Sequence, residues 1–346
     1  MKKQTEKKLG LSWYIAGSGI LMLLTLEFMF GSFSGLPHIA RLFMIAAIAM
    51  FVIIQSASYA VDAISNYAHT TGISDYMIGF VVVAIGTSFP DLSTAIFASL
   101  SSNGSLVLGG VIGACVLNLT LIIGLMAIVG GKLRIEKSMQ KTVAVILTLV
   151  LMAVLMGLDG EYSRLNGVFL FLTFVGYMTV MILREGKTGK VKKSVNFRDI
   201  WKDMIVFGGT LAALLLSARW LVIAATEIAK ALNIPSYFIG LVMVSVGISA
   251  PELIVGIKAV LNKSTYIGVG NSIGSVTMNY FFVLGIASII SPITFDVATF
   301  FVGAWTLLFS ITLILLFTKK QEISWKHGIF LLLLYIGFIF VQTRMI

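Results

Sequence analysis

Charge is what this chain has least of. Only 12% of its 346 residues are charged, about half the share a soluble domain carries. With 58% hydrophobic residues and a mean hydropathy of +1.00, it is excluded from the water-soluble globules. One cysteine, Cys115, rules out an internal disulfide framework. The three histidines, His38, His69 and His327, fall at the edges of apolar runs, which does not suit a metal-binding triad. No A-x-A cleavage site follows the first apolar run, which ends in Phe30-Gly31-Ser32-Phe33, so that run reads as a retained helix and not as a signal peptide.

What the chain has instead is long apolar runs. A membrane-spanning helix needs roughly 20 apolar residues. Spans are predicted at 12–31, 41–65, 76–101, 105–129, 141–158, 164–183, 203–229, 236–261, 266–290, 296–317 and 327–343. The fold class is therefore all-α, a polytopic membrane protein of eleven helices. A net charge of +10 is compatible with a nucleic-acid partner, but its distribution has a simpler cause. With the N-terminus in the cytoplasm, twenty of the 25 basic residues fall in cytoplasmic gaps and four outside, with Arg219 inside a span. That bias is the positive-inside rule. It places the C-terminus outside and leaves lipid, not nucleic acid, as the macroscopic partner. Glu27 and Asp62 read as interfacial, and Arg219 as snorkelling outward or pairing with Glu227.

A shift of 161 residues aligns much of the two halves of the chain, with no gap from Gly79, which meets Gly240, to Gly124. Val83 to Leu92 matches Val244 to Leu253, Gly109 meets Gly270, Gly113 meets Gly274, Asn118 meets Asn279, and Gly124 meets Gly285. Five helices separate each pair, an odd number, so the second copy crosses the membrane in the opposite direction. The organisation is a basic N-terminus and extra helix (1–40), a first five-helix repeat (41–183), a basic linker (184–202) and a second repeat (203–346). Inverted repeats of this kind are typical of secondary transporters, whose sites lie near the midplane at interrupted helices. The linker is too short for a folded domain; it reads as a solvated topology-setting loop, with anionic-lipid binding as the alternative.

Two acids break the pattern of carboxylates at helix ends. Asp91 and Glu252 sit mid-span, one residue after a proline and five after a glycine. An ionised carboxylate in hydrocarbon costs several kcal/mol unless it is compensated. Proline removes a backbone donor, and glycine tolerates unwound geometry. Carbonyls of Ala84, Thr87, Ser245 and Ile248, with the hydroxyls of Ser88 and Ser249, are then available to a hard cation, which takes six to eight oxygens in the case of Ca²⁺. Asn118 and Asn279, mid-membrane at equivalent positions, are candidate ligands or hydrogen-bond partners of the two acids. The glycines around them, Gly109, Gly113, Gly270 and Gly274, are accounted for by close helix packing.

At these residues the chain resembles the cation/calcium antiporter superfamily, in its sodium/calcium exchanger branch. That branch carries Gly-Thr-Ser-x-Pro-Glu in one helix and Gly-Asn-x-x-Gly-Ser-Asn, with a later Asn or Asp, in the next. Here the motifs run Gly86 to Asp91 with Gly109 to Asn118, and Gly247 to Glu252 with Gly270 to Asn279. The resemblance implies alternating access, with Asp91 and Glu252 shared between Ca²⁺ and several coupling ions. It also implies that Ala84, Thr87, Ser88, Asn118, Ser245, Ile248, Ser249, Ser275 and Asn279 line the sites.

The chain departs from that pattern at named positions. Asp91 is one methylene shorter than Glu, Ala114 replaces the first serine, Cys115 and Val276 replace asparagines, Ile248 replaces threonine, and Gly110 stands where the other half has Asn271. The Gly-Asn-Ala-x-Glu pattern of the proton/cation branch is absent, which favours sodium over protons.

The expected activity is exchange of Ca²⁺, or a similar divalent cation, for Na⁺ across the plasma membrane. No enzymatic role, cofactor or obligate protein partner is expected. Proton or K⁺ coupling is the alternative within the superfamily, and a passive cation channel lies outside it. An intramembrane aspartyl protease is disfavoured because one acid is Glu and neither sits in a Gly-x-Gly-Asp context.

Overall fold

The computed structural model of the protein describes residues 37–71, 87–135, 137–185, 197–261, 263 and 265–345. The predicted first span at 12–31 and the candidate ligand Ala84 lie outside those residues.

The first repeat begins with α1 (His38–Thr71) and, beyond residues outside the description, α2 (Phe89–Leu100). A long rod follows, made of α3 (Gly104–Leu117), a π-turn (Asn118–Ile122) and α4 (Ile123–Gly130). Strand β1 (Lys132–Arg134), helix α5 (Lys137–Met156), strand β2 (Glu161–Tyr162) and helix α6 (Arg164–Glu185) complete it.

The second repeat has the same order. Helix α7 (Phe197–Leu232) leads to a bent rod of α8 (Ser236–Ile239), a π-turn (Gly240–Val244), α9 (Ser245–Ile248) and α10 (Ala250–Leu261). Next come α11 (Thr265–Thr277), a π-turn (Met278–Val283) and α12 (Leu284–Ile290). Strand β3 (Ile293–Thr294), α13 (Val297–Lys319), β4 (Glu322–Ser324) and α14 (Trp325–Thr343) end the chain.

Among the described residues, seven helices are long and apolar enough to cross a membrane, and the bent rod makes eight. Of the other predicted spans, 12–31 lies outside the described residues, 76–101 lies partly outside them, and 203–229 falls within α7. In hydrocarbon every backbone polar group must be satisfied within the segment, which is why these apolar runs are helical. Helices also run further than hydropathy alone suggested. The segment expected at 41–65 is helical through Thr71, and α6 and α7 reach into the predicted linker as far as Glu185 and Phe197. The sequence pairing of Arg219 with Glu227 does not form: Glu227 accepts from Lys230 Nζ at 2.8 Å, and Arg219 is exposed.

The four short strands are a departure from the all-α expectation, and they carry the inverted symmetry. β1 pairs with β4, and β2 pairs with β3, each antiparallel. Under the repeat shift β1 maps onto β3 and β2 onto β4, so one pair is the symmetry mate of the other. Following the helices shows the two pairs on opposite ends of the molecule, called here the β1–β4 face and the β2–β3 face. Each pair ties the end of one repeat's long rod to the other repeat's outer helices. Gly131, at φ +67°, turns the chain out of α4 into β1, where Lys132 forms an ion pair with Glu322.

The two long rods form the centre. Of the most apolar stretch of Gly104–Gly130, 83% is buried, against 22% for α6 and 28% for α14. The outer helices expose Leu165, Leu172, Leu333 and Ile336, an apolar perimeter suited to lipid. Inside, small residues bring backbones together. A methyl at Gly109 would collide with the Tyr237 backbone, and one at Gly240 would lie 2.9 Å from the Gly110 amide nitrogen. The same device recurs in symmetry-related pairs: a methyl at Gly124 would sit 2.9 Å from the Gly328 carbonyl oxygen, and one at Gly285 would sit 3.1 Å from that of Gly167. Close approach through small residues is the usual means of helix association where no hydrophobic force separates helix from lipid. At the midline Cys115 Sγ faces the carbonyl of Val276, its own symmetry mate, at 3.8 Å.

These contacts make two predictions. Gly109→Ala and Gly240→Ala overpack the centre and cost about 1–3 kcal/mol, read as a lower melting temperature in detergent. Gly176→Ala and Gly337→Ala, where the added methyl meets nothing within 4 Å, leave it unchanged. At the start of α13, Asp296 accepts from the Thr299 amide at 2.8 Å and its hydroxyl at 2.6 Å, which holds its carboxyl below the usual carboxylate range. The cap is exposed, so Asp296→Ala costs only about 0.5–1 kcal/mol near neutral pH. Because the folded-state value is depressed, that contribution is present above the ordinary carboxylate range and is lost on acidification. The gap between wild type and variant therefore closes as the pH is lowered.

Candidate cation site

Each acid is placed by the same local chemistry. Ser88 (φ −86°, ψ 2°) and Ser249 (φ −87°, ψ 5°) leave helical geometry at equivalent points, and a short helix restarts immediately after each. Pro90 and Pro251 occupy the second position of α2 and α10, where a missing N–H costs nothing. In the second half the two segments meet at a bend of 43°. Asp91 and Glu252 then fall in the first turn, where the helix's positive end favours a carboxylate. Helices α2 and α10 run to opposite faces, so both starts point back toward the middle of the molecule.

Both acids are out of solvent, Asp91 at 3% exposure and Glu252 at 0%. They lie within each other's electrostatic reach, and Asn279 lies alongside Asp91. Ser275 Oγ donates to Glu252 Oε1 at 3.5 Å, and Thr87, also beside Glu252, donates to Asn271 Oδ1 at 3.3 Å. Asn118 and Asn279 each sit at a π-turn, at Asn118–Ile122 and Met278–Val283. Single π-turns inside α-helices recur at functional sites. Asn118 spends its Nδ2 on the Ala114 carbonyl at 2.9 Å, which leaves Oδ1 as the free atom.

Among the described residues, seven buried oxygens here have no hydrogen-bond partner: Oδ1 and Oδ2 of Asp91, Oε2 of Glu252, Oδ1 of Asn118 and of Asn279, and Oγ of Ser88 and of Ser249. Buried polar atoms are normally satisfied, and each exception calls for a cause. Two carboxylates among neutral oxygens make a hard-cation ligand set, of the size Ca²⁺ takes. Among the described residues no three His, Cys, Asp or Glu side chains gather.

The sequence-predicted residues Asp91, Glu252, Thr87, Ser275 and Asn279 come together in one region, Ser88 and Ser249 immediately precede the helices of the two acids, and Asn118 stands on the π-turn equivalent to that of Asn279. Ser245 is placed differently. Its hydroxyl donates to the Leu241 carbonyl, and its own carbonyl accepts from the Ser249 amide at 3.0 Å. Pro251 lacks the N–H that would reach the carbonyl of Gly247 four residues back, so Gly247, not Ser245, is the residue whose carbonyl proline frees. Ile248 is buried and lines a crevice beside Asp91.

That crevice, between α2 and α3, has room for a water-sized guest. It leads from Asp91 past Thr94, Gly110, Ala98 and Leu106 toward the β2–β3 face. The Thr94 hydroxyl is buried there without a partner. On the opposite side the equivalent seam is filled, because Met126 Sδ lies 2.6 Å from where a methyl on Gly256 would be and 3.0 Å from one on Gly268. Sequence reasoning left out Asn271, Thr94 and Met126. The unequal Gly110 and Asn271 pair was visible in the repeat alignment; nothing local marks Met126. At the mouth of the β2–β3 face a cavity of about 500 Å³ opens among Asn103, Ser236, Asp296, Thr299 and Gln342.

Residues 41–183 and 202–344 each match the family described as sodium/calcium exchanger protein, offset by the same 161 residues as the internal repeat. The sodium/calcium exchanger MaX1 of Methanosarcina acetivorans is 26% identical over 341 residues, covering 86% of this chain and 97% of that protein. Inner membrane protein YrbG of Escherichia coli is 30% identical over 263 residues, covering 71% of this chain and 78% of that one. A solved structure of the sodium-calcium exchanger NCX_Mj superposes with a TM-score of 0.66 at 28% identity, over 87% of this chain and 97% of that chain. Two tandem copies of the family's repeat, an integral membrane fold and a paired-acid midsection coincide in one polypeptide: the chain belongs to the sodium/calcium exchanger protein family.

Proposed function

We propose that this cation antiporter exchanges Ca²⁺, or a divalent cation of similar size, for Na⁺ by alternating access at Asp91 and Glu252. The observation that carries the reading is the set of seven unpartnered buried oxygens around two symmetry-related carboxylates. Thr87, Ser88, Asn118, Ser249, Ser275 and Asn279 complete the ligand sets, with carbonyls of Gly247 and Ile248 beside the break in the second half. In this reading the chain spans a cell membrane eleven times, the two repeats being 41–183 and 203–346. The β1–β4 face is cytoplasmic, since Lys132, Arg134, Lys319, Lys320 and Lys326 gather there. The water-sized crevice beside Asp91 and the Met126 plug make the β2–β3 side, outside in this reading, the less tightly packed of the two.

The test is transport in proteoliposomes. An imposed Na⁺ gradient is expected to drive ⁴⁵Ca²⁺ uptake, and Glu252→Gln or Asp91→Asn to remove it. Breaking a buried charge pair costs about 3–5 kcal/mol, a loss of two orders of magnitude or more in affinity. Uptake that ignores the Na⁺ gradient but follows a pH gradient sinks the Na⁺ assignment. Ligand linkage gives an independent readout: Ca²⁺ at about one hundred times its dissociation constant adds about 2.7 kcal/mol to folding stability. The melting temperature of the wild type should rise with Ca²⁺, and that of Glu252→Gln should not.

A further inference from the structure

The cavity of about 500 Å³ on the β2–β3 face takes no part in transport as proposed above. Helix α3 stands between it and the crevice beside Asp91: Ser105 lines the cavity, whereas Val107, Gly110 and Val111, on the other side of the helix, line the crevice. Its volume is that of a small-molecule site.

Two polar groups of its wall are joined through Thr299. The Thr299 amide and hydroxyl donate to Asp296 Oδ2, and its carbonyl accepts from Gln342 Nε2 at 3.3 Å. The Asp296 carboxylate is exposed and forms no ion pair among the described residues. Gln342 is fully buried, and its Oε1 has no hydrogen-bond partner. A buried amide oxygen left without a donor calls for a cause. The fold does not supply one, because under the 161-residue shift Asp296 answers to Ile135 and Gln342 to Met181, both apolar. The polar pair is a property of one face and not of the repeat.

The chemistry of the wall selects the guest. It holds one carboxylate and one free amide oxygen, no Lys or Arg, and the aromatic residues Tyr237, Phe238 and Phe295. An anion finds no charged partner there. A Ca²⁺ ion takes six to eight oxygens, which a wall so rich in rings does not offer. An organic ammonium ion suits both halves of the lining: its N–H groups donate to oxygens, and aromatic faces attract its charge.

We propose that this cavity is a binding site for an organic ammonium ion, held between Asp296 and Gln342 with its apolar body against Phe238 and Phe295. A free amine and the ethanolamine headgroup of a lipid present the same group. The site is separate from Asp91 and Glu252.

The test titrates the full chain, in detergent free of lipid, with phenethylammonium chloride and with its neutral analogue phenethyl alcohol, read by calorimetry and by melting temperature. The amine is expected to bind and to raise the melting temperature, and the alcohol to bind at least tenfold more weakly. Asp296→Asn keeps a good helix cap and is expected to lose about tenfold or more in amine affinity, the worth of a charge-assisted hydrogen bond. Gln342→Met, which installs the residue of the other repeat, is expected to lose about two- to tenfold. Glu252→Gln should bind the amine as the wild type does. No binding of the amine, equal binding of the alcohol, or an affinity that falls in Glu252→Gln and not in Asp296→Asn overturns the site. In nanodiscs, phosphatidylethanolamine that displaces the amine where phosphatidylglycerol does not assigns the headgroup as occupant; amine binding equal in the two lipids assigns a free amine.

Discussion

Keeping two carboxylates out of water inside an apolar bundle is the constraint the rest of the molecule answers to. A lone ionised acid in such a place is strongly disfavoured. Here the helices are broken one turn before each acid, so that Asp91 and Glu252 sit at helix starts, and both starts point inward. The break needs Pro90 and Pro251, and the close packing that holds the broken pieces needs Gly109, Gly113 and Gly240. The π-turns at Asn118 and Asn279 bring amides to the same level. Backbone irregularity, which lipid forbids at the perimeter, is confined to the centre, where other helices cover it.

Symmetry makes this arrangement available to one chain twice. The 161-residue shift appears in the ladder pairs, in the glycine contacts Gly124 with Gly328 and Gly285 with Gly167, and in the meeting of Cys115 with Val276. Where the halves are the same they build structure, and where they differ they set chemistry. Ser275 against Ala114 and Asn271 against Gly110 change the number of oxygens without changing the path of the backbone.

Much of this was legible before any coordinates. Hydropathy located the described helices because lipid imposes helix on any long apolar run, and the repeat identified Asp91 and Glu252 as a pair. The ligand set was legible only in part. A freed carbonyl was assigned to Ser245, although proline acts four residues back and so frees Gly247. The Ser245 groups are taken by Leu241 and Ser249. The strand pairs β1–β4 and β2–β3 escaped notice because two or three residues carry no periodicity. Thr94 and Met126 were invisible because their significance lies in what they face across the bundle, more than twenty residues away in sequence or on another helix. Helix ends ran long at Thr71 and Glu185 because nothing between the apolar edge and the next glycine stops a helix.

Met126 has a consequence of its own. Its counterpart in the other repeat is Ala287, a side chain with nothing to insert into a seam. If the two halves trade conformations during transport, the closure that seals the β1–β4 side uses a long, adaptable thioether, while the closure on the β2–β3 side has only a methyl group to offer. The seam on the β1–β4 side is therefore packed by a sulfur that the β2–β3 side lacks.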